Sequence, residues 1–221
     1  MKIVKSIVWI AVARLILASA YAQTFTNLNF EQANPIPVDG YPYIVTVSSA
    51  LPAWTVSLGT VQQTQILYDN QSTGATAVTL IGPGFTPIDG SYSVLLQGGL
   101  SAPAASISQT GFIPVGTQSL LFKALPEGVG PLDISIGGQN IPFIAVGTES
   151  FYTLYAANIS AWAGDTEQLT FSALEGYAGA DNWLIDDISF SPNSFAPEPG
   201  IVVLSAIGGL LFAARKWFVR H

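Results

Sequence analysis

Between Thr24 and Pro192 the sequence is a succession of short runs of β-branched and aromatic residues, each closed off by Gly, Pro, Asn or Asp. Tyr43–Val47, Trp54–Leu58, Thr64–Tyr68, Ala77–Ile81, Tyr92–Gln97 and Ala104–Thr110 make up the first half. Ser119–Lys123, Leu132–Ile136, Ile141–Val146, Phe151–Tyr155, Gln168–Phe171 and Trp183–Phe190 make up the second. Thr24–Phe30 alternates as one more strand, and no window between these runs has a long helical period. Asp39-Gly40 and Asp89-Gly90 read as turns, and Gly137-Gly138 suits a hairpin joining two strands. So many evenly spaced strands in roughly 170 residues predict one all-β domain over 23–192, a β-sandwich of jelly-roll type.

Charge excludes several functions. Between Thr24 and Phe195 thirteen acids face a single cation, Lys123, which leaves this part near −12. Nucleic-acid binding needs Lys and Arg to neutralise phosphates, so it is excluded as a role. An acidic domain suits an exported protein, a divalent cation or a neutral glycan. Cysteine is absent, which removes disulfides, thiolate metal sites and Cys nucleophiles.

Catalytic constellations are also scarce. The one histidine is His221, at the far C-terminus, so neither a Ser-His-Asp triad nor a His-rich metal site is available to the domain. Gly82-Pro83-Gly84 and Gly128-Val129-Gly130 lack phosphate-loop spacing and read as loops. A glycosidase needs only two carboxylates across a cleft, and Asp165 with Glu167 or Asp181 with Asp186 are the pairs to consider. The expectation is a protein without catalysis of its own, with polysaccharide hydrolysis the remote alternative.

The two ends read as targeting segments. Lys2 and Lys5, an apolar stretch interrupted by Arg14, and Ala20-Tyr21-Ala22 predict a signal peptide over 1–22, cleaved before Gln23. At the other end, residues 193–200 form a linker ending in Pro197-Glu198-Pro199-Gly200, whose prolines cannot sit inside a helix. Residues 201–214 carry no charge and predict a single apolar helix of about 20 Å, short of the ~30 Å hydrocarbon core. Residues 215–221 are basic, and Arg215 and Lys216 would hold this end on the cytoplasmic side. A buried core helix and a glycosylphosphatidylinositol signal are the alternatives.

The Pro-Glu-Pro-Gly motif, the short apolar helix and the Arg-Lys cluster resemble the PEP-CTERM sorting signal of Gram-negative bacteria. That resemblance implies an exosortase as partner, a transient inner-membrane anchor, and delivery of the processed chain to the cell surface or extracellular matrix. A second resemblance, to galactose-binding-like jelly-roll domains, rests on Asn27-Leu28-Asn29-Phe30-Glu31, Leu51-Pro52-Ala53-Trp54, Tyr92–Leu96, Ile107–Thr110 and Trp183–Ile188. It implies glycan or cell-wall binding in some members.

Two candidate sites follow. Alternation in the last run places Leu184, Asp186, Ile188 and Phe190 on one face, and an acid among apolar neighbours needs a partner. Calcium is the candidate cofactor, with Asp186 as ligand and Glu31, ending the first run, as its partner; hydrogen bonding without an ion is the alternative. For glycans, Trp162 and Tyr177 are the candidate stacking residues, beside loop acids and amides, with ordinary packing as the alternative. The expected role is a structural or adhesive surface protein in contact with extracellular polysaccharide, and the alternative is a carbohydrate-binding module.

Overall fold

A computed structural model describes residues 23–71, 74–100, 103–128, 130–176 and 181–195. The predicted signal peptide and most of the sorting tail therefore lie outside the described residues. The strands are β1 (Pro37–Val38), β2 (Tyr41–Thr46), β3 (Thr55–Leu58), β4 (Val61–Gln63), β5 (Gln65–Tyr68), β6 (Ala77–Ile81), β7 (Ser93–Gln97) and β8 (Ala105–Phe112). Then come β9 (Ser119–Glu127), β10 (Leu132–Ile136), β11 (Gln139–Asn140), β12 (Phe143–Thr148), β13 (Thr153–Asn158), β14 (Thr166–Ala173) and β15 (Asn182–Ser191). They form two sheets packed as a sandwich. One has nine strands in the order β1-β2-β5-β6-β7-β15-β9-β13-β12, the other six in the order β11-β10-β14-β8-β3-β4. Strand pairs are antiparallel except β5 with β6.

Period-two patterning decides which residues enter the core. In β14, Leu169, Phe171 and Ala173 are buried while Gln168, Thr170 and Ser172 point outward. In β8, Ala105, Ile107 and Gln109 are buried while Ser106, Ser108 and Thr110 point outward. The register sets outward residues side by side across the six-stranded sheet. Asp133, Ser172, Ser106, Ser57 and Gln62 make one row, and Asn140, Ser135, Thr170, Ser108 and Thr55 the next. Between the sheets Phe122 and Phe171 meet edge to face at 5.3 Å, and Phe143, Tyr155 and Trp183 continue this aromatic cluster.

Strand β7 departs from the alternation. All five of its residues are buried, because the outer face of the nine-stranded sheet carries a second, smaller core. Ile81, Leu95 and Leu184 form it, with Ile88 and Leu125 packed against them. An antiparallel sheet normally leaves its outer face polar, so something covers this one; the segment after β6 does.

Gly137 and Gly138, both at positive φ, turn the expected hairpin, which joins β10 to the two-residue β11. The run after it crosses to the other sheet as β12. Thr24–Phe30 is not a strand: apart from the bridge Thr24 to Phe112, it is held by the buried Gln109 side chain, which accepts from Thr26 N at 2.7 Å and donates to Thr26 O at 3.0 Å. Asn27 and Phe30 sit at positive φ, which ends any extended run. Trp54 lies just before β3, buried, with Nε1 donating to Asn27 O at 2.9 Å.

Candidate functional site: a clasped loop and the cavity beside it

Residues 82–92 run from β6 to β7 across the outer face of the nine-stranded sheet. Nearly all of their anchors are carboxylates taking backbone N–H groups. At the first end, Asp69, itself at positive φ, accepts from Gly82 N at 2.7 Å and from Gly84 N at 3.0 Å. At the second end, Glu31 Oε1 accepts from Ser91 N at 2.8 Å and Tyr92 N at 2.9 Å. Gly90 has φ +57, and a Cβ there would stand 2.5 Å from Glu31 Oε1, so the Asp89-Gly90 turn needs its glycine for conformation and for room.

Asp186 is the innermost anchor, 1 % exposed. Its Oδ2 accepts from the Ser93 hydroxyl at 2.6 Å and Asp89 N at 3.1 Å, and its Oδ1 from Asp187 N at 2.7 Å. Burial pushes its carboxyl up to about 7, against the pull of these donors. Lys123 closes the clasp from β9 by pairing with Asp89 and, at 3.0 Å, with Asp187. The Lys123 hydrogen bond holds the Asp89 carboxyl below its ordinary range, and Asp89 in turn raises the lysine.

The clasped loop seats Ile88 on the second core and sets Phe85 and Thr86 at the edge of a cavity of about 210 Å³. Ile81, Leu95 and Leu184 form its apolar floor, and Gln71, Glu127 and Phe151 complete the lining. Phe85 is 45 % and Phe151 39 % exposed, so two large rings flank a recess instead of filling it. Asn182 Nδ2 lies 3.4 Å from Glu127 Oε2. Aromatic walls with a few amide, hydroxyl and carboxylate groups are the chemistry of a site for a small, uncharged, partly apolar ligand.

The residues singled out from sequence fall as follows. Glu31 and Asp186 both hold the Asp89–Tyr92 turn, Asp186 by Asp89 N and Glu31 by Ser91 N and Tyr92 N. Leu184 and Asp186 share a face, as alternation predicts, but it is the outer face under the loop. A bulge after Asp186, with Asp187 at φ 48, turns Ile188 into the main core. Trp162 ends the 3-10 turn Ser160–Trp162, half-buried against the main core, and does not line the cavity. Tyr177 and the sorting residues Pro197, Glu198, Pro199, Gly200, Arg215 and Lys216 lie outside the described residues. Neither carboxylate pair weighed for hydrolysis lines the cavity. Asp181 is instead buried at the start of β15, accepting from Gly130 N at 2.8 Å.

Calcium fits Asp186 poorly. Both of its oxygens already receive hydrogen donors, where an ion would require further oxygen ligands. Among the described residues no three His, Asp or Glu side chains gather around one point. Stripping divalent cations with a chelator is therefore expected to leave the melting temperature unchanged; a fall of several degrees would restore the ion to this pair.

Phe85 and Phe151 are not singled out by period or motif. The available signal is Gly82-Pro83-Gly84-Phe85-Thr86-Pro87, where an aromatic stands in a stretch that can form neither strand nor helix.

No protein-family model matches the sequence, and no curated protein matches it either. Among solved structures, the enzymatically active domain of tailspike protein 4 from bacteriophage CBA120 superposes with a TM-score of 0.39 and 16% identity. That match covers 63% of this chain and 19% of the other. A secreted serine protease from Vibrio cholerae superposes with a TM-score of 0.33 and 12% identity, over 54% of this chain and 25% of the other. The chain thus spans a quarter or less of these two solved proteins, and likenesses this distant carry no argument about its activity.

Proposed function

We propose that this chain is an exported carbohydrate-binding module of jelly-roll type, without catalysis of its own, carried to the cell surface by an exosortase acting on its C-terminal signal. The observation that supports binding is the recess flanked by Phe85 and Phe151, with Gln71, Thr86 and Glu127 at its rim. A sugar offers an apolar ring face for the aromatics and hydroxyls for the amide and carboxylate. The surrounding acids and the scarcity of cations favour a neutral sugar over an acidic one. A structural role in the extracellular matrix is compatible with this reading, because a module that holds polysaccharide is itself a matrix component.

The test is a glycan array followed by calorimetry with the best neutral hit. Phe85→Ala and Phe151→Ala are each expected to weaken binding about tenfold, as the loss of one stacking ring does, while Trp162→Ala leaves affinity alone. An array without hits, or variants that bind like the parent, would remove the module reading. The sorting arm has its own readout: the intact mass of the surface-recovered protein should correspond to a chain starting at Gln23 and ending near Pro197–Pro199.

A further inference from the structure

The cavity uses one face of the sandwich, and the opposite face carries a different pattern. The two rows of outward residues on the six-stranded sheet are serines, threonines, glutamine and asparagine, with one charged residue, Asp133. Edge strands are commonly kept apart from other chains by charged side chains, lysine above all, and these rows end in the edge strands β11 and β4. Here thirteen acids are available between Thr24 and Phe195, and a single one enters these rows. Each row instead presents short hydroxyls that both donate and accept, repeated about 4.8 Å apart across strands and about 6.8 Å apart along them.

One end of the rows is built differently. At Asp133 and Asn140 a cleft of about 450 Å³ opens, lined also by Leu132, Ile141 and Phe143. Asn140 Nδ2 donates to Asp133 Oδ2 at 3.1 Å, so the only charge in the rows is already tied to an amide. A carboxylate–amide pair beside an aromatic ring offers fixed acceptors and donors next to an apolar surface.

We propose that this face is a second binding surface, which takes an extended neutral polysaccharide lying across the rows with one sugar unit seated in the Asp133–Asn140 cleft. Polyanions find no cation here, and polycations find one acid that already has a partner. A protein partner would look for a large apolar or aromatic anchor, and neither row supplies one. Single exchangeable hydroxyl contacts contribute little each, so the ligand has to be long enough to meet many of them. The inference does not depend on the cavity flanked by Phe85 and Phe151. If both surfaces bind, each copy joins two polysaccharide strands from opposite sides.

The experiment is affinity electrophoresis of the full chain in native gels cast with hydroxyethyl cellulose, with dextran, or with dextran sulfate. The parent should be retarded by at least one of the two neutral polymers and not by dextran sulfate. The double variant Thr55→Val, Thr170→Val removes two hydroxyls of the second row, keeps their shape and raises strand propensity, so its fold is retained. Ser108→Lys places a long charged chain in the middle of the second row. Both are expected to weaken retardation at least fivefold when introduced into the double variant Phe85→Ala, Phe151→Ala, in which the cavity no longer contributes. No retardation by either neutral polymer, valine and lysine variants retarded as strongly as their background, or a loss seen only with the phenylalanine variants would overturn the inference. The last of these would leave the cavity as the sole binding site.

Discussion

Phe122→Ala is expected to lower the unfolding free energy by about 4 kcal/mol, the range for a large aromatic lost from a packed core. For a domain of this size that is a fall in melting temperature of roughly 10 °C. The effect should exceed that of any other single aromatic because of where the ring sits. Phe122 is fully buried on β9, between β15 and β13 of the nine-stranded sheet. It stacks on Tyr155 at 5.3 Å, meets Phe143 edge-on at 5.5 Å and reaches across to Phe171 of the six-stranded sheet at 5.3 Å. Removing it empties the contact between the sheets and frees three neighbouring rings at once. Phe122→Leu keeps most of the volume and should cost well under half as much. Denaturant titration of both variants checks this, and an alanine variant less than about 2 kcal/mol weaker would mean that the neighbours collapse into the gap.

The part of the fold that local patterning controls was readable from the chain. Ser106-x-Ser108-x-Thr110 and Gln168-x-Thr170-x-Ser172 alternate with buried residues, and alternation fixes which side chains face the core. What could not be read is whatever depends on contacts distant in sequence. The alternation of Thr24–Phe30 resembles a strand, yet a glutamine side chain some 80 positions away takes the place of the strand partner. The last run alternates through Asp186 and Ile188, but the register shifts at Asp187, whose carboxylate pairs with Lys123 from another strand. For the candidate site, Glu31 and Asp186 hold different N–H groups of the same loop, a link that no spacing in the sequence announces. A carboxylate shows in a sequence, whereas the backbone N–H groups that satisfy it look the same at every position. Phe85 and Phe151 meet at one recess because a loop folds back over its sheet, and neither residue carries a local sign of the other.

The stability of the domain is expected to fall as pH rises from about 4 to about 7, with most of the slope due to one side chain. Folded Asp186 keeps its proton up to about 7, because burial disfavours the charge, whereas an unfolded aspartate loses it near 3.8. Between those values the folded state binds more protons than the unfolded state, so each unit of pH removes up to about 1.4 kcal/mol, and on the order of 4 kcal/mol in all. Above about 7 both states are ionised and the slope ends. Groups facing Asp186 do not cancel this. Lys123 stays charged throughout the window, Asp89 titrates below its ordinary range, and the sole histidine of the chain, His221, lies outside the described domain. Asp186→Asn should flatten the profile at a fixed cost, since its NH2 group has to face one of the donors that now point at a carboxylate. The loop held by Asp186 also carries Phe85 and Thr86. The protection of amides in residues 82–92, measured against their intrinsic exchange rates at each pH, should therefore fall over the same pH interval in the parent, and not in the asparagine variant. A melting temperature that is flat from pH 4 to 7, or a slope that survives Asp186→Asn, would mean that the buried carboxylate is ionised throughout and that its three donors outweigh its burial.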